Sequence, residues 1–166
     1  MTPHRPYAGF LLCLTSAFLA ACGNDANRPL QLTAQDSSAI ERIRSAYVAA
    51  WLADDTSAVL ASMDSAALLL PPGRLPVKGH DAIRAFWWPT DGSRTTITDF
   101  QWSVEEMVGT HQLAFTRGLS TVAWQYQKDT VQAEQTSRTV SLTIFARGAD
   151  GSWRIIRQMW GPPLPN

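Results

Sequence analysis

Few side chains in this sequence are equipped for acid–base or nucleophilic chemistry, and those few stand far apart. The three histidines, His4, His80 and His111, have no spacing by which one helix or strand could present two of them to a zinc ion. His80 lies between Gly79 and Asp81 at the start of a helical pattern, where an imidazole titrating near neutral pH is a candidate base. Tyr47 falls on the apolar stripe of an earlier helix. His111 belongs to a turn, Gly109-Thr110-His111, and Arg138 and Arg157 read as surface ion-pair partners. No Gly-rich phosphate loop, Gly-x-Ser-x-Gly elbow or Cys-x-x-Cys pair occurs. Tryptophan is abundant instead: of seven, Trp51, Trp87 and Trp160 are suited to wall an apolar pocket.

The remaining reactive residue is Cys22. Residues Phe10 to Ala21 are uncharged and apolar, too short a run to span a bilayer, which takes roughly 20 residues, but suited to a signal-peptide core. That core ends in Leu19-Ala20-Ala21-Cys22, which resembles a bacterial lipobox, so residues 1–21 are expected to be cut away and Cys22 to be lipidated. Cys13 would leave with the leader, and no thiol would remain for a disulfide or thiolate metal site. Residues 22–35 read as a polar tether, and Gly23 after the cysteine favours outer-membrane delivery facing the periplasm. Fourteen basic and fourteen acidic residues cancel without forming blocks, which gives nucleic acid no electrostatic footprint to meet.

One domain, residues 36–166, must position these groups. A capping-box pattern, Ser38 with Glu41, predicts the start of a first helix carrying Ile40, Ile43, Tyr47, Ala50 and Trp51 on one face, with Arg42 and Arg44 off it. Asp55 caps a short second helix over 56–63, and Asp64 ends it. Residues 66–70 form a strand closed by Pro71-Pro72-Gly73, and a third helix runs from His80 to Trp88 before Pro89. The period then changes to two, predicting strands at about 95–108, 112–127, 135–147 and 152–160. Helices first and long antiparallel strands after give an α+β architecture with a strongly curved sheet.

Several segments in this order, Ala46-Tyr47 to Asp54-Asp55, Leu69-Leu70-Pro71-Pro72-Gly73, Lys78-Gly79-His80-Asp81-Ala82-Ile83 and Ala149-Asp150-Gly151-Ser152-Trp153-Arg154-Ile155 through Trp160, resemble the SnoaL-like or NTF2-like superfamily, which includes ketosteroid isomerases. The nearest branch looks like the one labelled DUF4440, and the resemblance spans about residues 36–162. It implies a cone: a curved antiparallel sheet packed on three N-terminal helices, with an apolar pocket between them and dimers formed through the outer sheet face. It places Tyr47, Trp51, Thr143, Phe145, Ile156, Gln158 and Trp160 toward the pocket, and Val140, Leu142, Ile144, Ile155 and Met159 on the other face. The isomerase base would fall on Leu70 and the isomerase acid on Thr143, neither of which can do that work. Gln158 stands where relatives of this branch often carry Asp, and an amide cannot act as a base.

The expectation is a lipid-anchored envelope protein that binds a small apolar or aromatic molecule without metal or cofactor. Ligand contacts would come from Trp51, Trp87, Thr143, Phe145, Ile156, Gln158 and Trp160. Two rivals stand beside it. One is a cofactor-free isomerase, lyase or hydrolase using Tyr47 and His80 as catalytic residues. The other is a non-catalytic module that dimerises or docks through the sheet.

Overall fold

The computed structural model describes residues 31–162. The leader, Cys22 and all of the tether before Gln31 lie outside the described residues. Three helices come first: α1 (Ala34–Leu52), α2 (Thr56–Ala61) and, after strands β1 (Met63–Leu70) and β2 (Val77–Lys78), α3 (His80–Trp87). Four more strands follow: β3 (Arg94–Gly109), β4 (Leu113–Lys128), β5 (Val131–Arg147) and β6 (Trp153–Trp160).

α1 starts four residues before the expected Ser38. Its N-cap is Thr33, whose hydroxyl accepts from the Asp36 N–H at 3.1 Å while the Asp36 carboxylate accepts from the Thr33 N–H at 3.2 Å. Both patterns have capping-box spacing. The earlier one prevails because Asp36 also meets Arg147 at 3.2 Å and the Trp153 indole N–H at 3.4 Å, partners that no local pattern reveals. Ser38 donates to the Ala34 carbonyl inside the helix instead, and Glu41 pairs with Arg44 at 2.7 Å. Arg44, expected off the stripe, is buried. Its guanidinium lies 5.0 Å from the Trp102 ring centre and donates to the Trp102 carbonyl. Asp55 caps α2 as expected, accepting from the Ala58 N–H at 2.9 Å. Asp64 lies within β1 rather than at the end of α2.

All six strands join one sheet in the order β2-β1-β6-β5-β4-β3. The sheet is mixed, not purely antiparallel: β1 runs parallel to β6, and every other pairing is antiparallel. The chain enters β6 from the β5 hairpin with its direction already set, and β1 fills the vacant edge beside it. Register shifts interrupt β3–β4 twice, between Ile97 and Asp99 and between Val104 and Glu106, and β5–β6 once. Each extra residue sharpens the local bend and twist, so strands of 16 or 17 residues wrap around the helices instead of lying flat.

The core fills one half of the concave face. Phe145, Trp153 and Ile155 from the β5–β6 hairpin meet Ile40 of α1, Val59 of α2, Leu69 of β1 and Ile83 of α3. The chain enters the domain at this same end. The Leu32 N–H donates to the Gly109 carbonyl at 3.1 Å, and Gln31 bridges to Thr110 in the β3–β4 turn.

Candidate functional site

The other half of the concave face is open. It holds a cavity of about 620 Å³ with two walls of different chemistry. One wall is aromatic. α1 contributes Tyr47 and Trp51, α3 contributes Phe86 and Trp87, and β3 contributes Phe100 and Trp102. These rings hold each other mostly by edge-to-face contacts, while Phe100 and Trp102 lie parallel. Tyr47 touches Trp51, Phe100 and Trp102 with centroids 5.9–6.2 Å apart, and Trp51 meets Trp87 edge-on at 5.0 Å. Trp88 stacks on Trp51 from behind at 4.8 Å. Such pairs add about 0.5–1.5 kcal/mol beyond area burial, so the wall is stiff before any ligand arrives.

The opposite wall is hydroxylated. Ser137, Thr139 and Ser141 alternate along β5, and Ser120 lies on β4 directly opposite Thr139. The Ser120 and Thr139 hydroxyls are 3.0 Å apart. Further in, past the Gly118–Ser141 pair, Thr116 and Thr143 face each other across the same two strands; both are fully buried, and neither hydroxyl has a hydrogen-bond partner, nor has that of Ser141.

Tyr47 and Gln158 meet at the junction of the two walls. The Tyr47 hydroxyl donates to Gln158 Oε1 at 3.1 Å. Burial pushes the Tyr47 pKa up to about 12, with the Trp51 and Gln158 side chains pulling weakly the other way. A phenol so held remains protonated through the physiological range, and its proton is already engaged.

The expected site residues separate accordingly. Tyr47, Trp51, Trp87, Gln158 and Trp160 line the cavity together. Thr143 and Phe145 face the same side of β5 but lie in the closed core and do not line it. Ile156 does not line it either. In the β5–β6 ladder Phe145 pairs with Ile155 and Ile144 with Arg157, so Ile156 is the extra residue of a bulge. That bulge reverses the alternation: Ile155, expected outside, is wholly buried inside, while Gln158 and Trp160 return to the concave face. His80 is half-buried at the start of α3, its Nε2 3.3 Å from the Met63 carbonyl, and is not among the cavity-lining residues. Tyr47 and His80 therefore do not share the cavity. Leu70, where the resemblance would put the isomerase base, lies in β1 and also does not line it. Among the described residues lining the cavity there is no carboxylate and no imidazole, and the one charged group is Arg74. No trio of His, Cys, Asp or Glu among the described residues is placed to hold a metal ion.

Sequence reasoning missed most of the far wall. Ser120, Val122 and Trp124 of β4 and Ile97 of β3 were legible only as members of a period-two pattern, and the two β3 bulges obscured which phase faces inward. Arg74 carried no signal, because it sits in the turn Pro71–Pro76 that the fold brings to the cavity rim.

The model of the SnoaL-like domain matches residues 45–158. No curated protein matches the sequence. Solved structures resemble the fold at low identity. A ketosteroid isomerase-like protein from Erwinia carotovora atroseptica is 22% identical over 80% of this chain and 100% of its own, with a TM-score of 0.66. A conserved protein from Planctomyces limnophilus is 22% identical over 78% of this chain and 98% of its own, at 0.64. An NTF2-like protein with a cystatin-like fold from Novosphingobium aromaticivorans is 18% identical over 77% and 82%, at 0.51. These likenesses bear out the α+β, NTF2-like architecture expected from the sequence.

Proposed function

The chain belongs to the SnoaL-like domain family, and we propose that it serves there as a binding protein for a small, largely apolar aromatic molecule. The observation that carries this reading is the cavity: about 620 Å³, walled by aromatic rings on one side and neutral hydroxyls on the other. That volume lies within the roughly 300–1,000 Å³ of small-molecule sites. Turnover of the isomerase kind is disfavoured on two grounds. Leu70 and Thr143 stand where the base and acid would be, and the Tyr47 hydroxyl spends its proton on Gln158.

The experiment is a thermal-shift screen of neutral one- to three-ring compounds against the wild type and Val122→Trp, which fills the cavity from β4. Hits that stabilise the wild type and leave the filled variant unmoved support the reading. A panel without hits, or hits equal in both proteins, overturns it.

We place this domain on the outer membrane, anchored through lipid on Cys22 and facing the periplasm. The leader and lipobox pattern support that placement, and loss of labelled palmitate incorporation in Cys22→Ala tests it. The outer sheet face supports a homodimer. Val140 and Met159 are more than 40% exposed there, beside Leu119, Leu142 and Ile144. A face so apolar is stable in water when covered.

A further inference from the structure

The cavity's polar groups are biased in one electrostatic direction. Arg74, exposed in the turn between β1 and β2, is the only charged side chain among the described residues that line it. Among the described residues it makes no ion pair, as is also true of Arg42, Arg84, Arg138 and Arg157, but of these it alone lines the cavity. Pro71 and Pro72 precede it and Pro76 follows, while Gly73 takes a φ of 67° that permits the reversal. These residues limit how far the Arg74 backbone can swing from the rim.

Deeper in, the hydrogen-bond inventory leans the same way. Gln158 has its carbonyl oxygen engaged by Tyr47, so its amide N–H₂ is the group it retains for a ligand. The hydroxyls of Ser137 and Ser141 can donate as readily as accept. No lining carboxylate competes for Arg74 or welcomes a cation. A guanidinium presents a planar fork of donors that fits a carboxylate with two parallel hydrogen bonds. An acceptor-rich, acidic end and a flat apolar body together match this cavity.

We infer that the cavity selects aromatic carboxylates, with Arg74 as the residue that sets the preference for an acid over its neutral or cationic counterpart. This rests on the ligand-binding reading above and sharpens it from an aromatic molecule to an aromatic acid. The ring system lies against the aromatic wall, and the carboxylate meets the guanidinium fork of Arg74 at the exposed rim.

The test uses three probes of one shape, 2-naphthoate, 2-naphthamide and 2-naphthylmethylammonium, titrated calorimetrically into the wild type, Arg74→Gln and Arg74→Lys. Arg74 is exposed and unpaired, so both variants are expected to keep the wild-type melting curve. Naphthoate should bind up to about tenfold more tightly than naphthamide, the size of one charge-assisted hydrogen bond. The ammonium should bind most weakly. Arg74→Gln should erase the preference, and Arg74→Lys should retain part of it, because a point charge remains without the fork. Equal affinities for naphthoate and naphthamide in the wild type overturn this inference and leave the cavity reading intact. A preference that survives in Arg74→Gln overturns the role of Arg74. Failure of all three probes overturns the cavity reading and this inference with it.

Discussion

Asp36 holds the first turn of α1 against the β5–β6 hairpin, and its removal should be felt by the whole domain. The side chain is only 4% exposed and accepts from four groups: the Thr33 N–H and hydroxyl at 3.2 and 2.7 Å, Arg147 at 3.2 Å and the Trp153 indole at 3.4 Å. Losing half of a capping box costs about 1 kcal/mol. Leaving the Trp153 N–H and Arg147 without their buried acceptor costs about 1–3 kcal/mol more. Asp36→Ala should therefore lose about 2–4 kcal/mol. At roughly 3 °C per kcal/mol for a domain of this size, the melting temperature should fall by about 6–12 °C. Asp36→Asn keeps one carbonyl acceptor and should lose about half as much. The pH dependence has a definite sign. Hydrogen bonds from Thr33, foremost among the causes, hold the carboxyl below its ordinary value of 3.8. A lowered folded-state pKa gives stability that is complete above 3.8 and drains away as pH falls through the folded value. Melting followed by circular dichroism between pH 7 and pH 3 should show wild type and Asp36→Asn converging at the acid end. A constant gap across that range, or an Asp36→Ala loss below about 1 kcal/mol, would refute the reasoning.

Four further outcomes are expected. Alkaline spectrophotometric titration should find one tyrosine ionising near 12, absent in Tyr47→Phe; because that pKa is raised, the hydroxyl's contribution to stability is whole below pH 10 and lost as pH climbs through 12. Tyr47→Phe itself should cost about 1 kcal/mol at neutral pH in urea unfolding, the worth of the bond to Gln158. Gly118→Ala should cost more than about 3 kcal/mol, because a Cβ there collides with the backbone carbonyl of Ser103 where β3 bulges. Val140→Asp on the outer sheet face should convert a particle of two chains into one in sedimentation, without lowering monomer stability; an unchanged mass counts against the dimer.

The sequence made the elements legible to within a few residues wherever a local signal governs them. Asp55 starts α2, Pro89 follows α3, and the change to period two marks β3 through β6. It misled where a distant partner decides. Thr33 and Asp36 outcompete Ser38 and Glu41 through Trp153 and Arg147, more than 110 positions away. Arg44 is buried because Trp102 covers it. Strand phase was readable only between bulges: Gln158 and Trp160 were placed on the correct face, but Ile155 and Ile156 exchanged roles because one extra residue in β6 is invisible in an alternating pattern. The aromatic half of the site could be read from α1 and α3, whereas the hydroxyl half needed the β4–β5 register.

The point where the chain joins the domain also orients it. Gln31 and Leu32 are fastened to the β3–β4 turn at Thr110 and Gly109, while the hollow is lined by Thr95 toward the far end of the same strand. Fourteen residues of β3 separate the two, a path of about 45 Å along the strand. If Cys22 carries lipid as proposed, the anchored segment joins the domain at the closed end of the fold, away from the Thr95 end of the hollow.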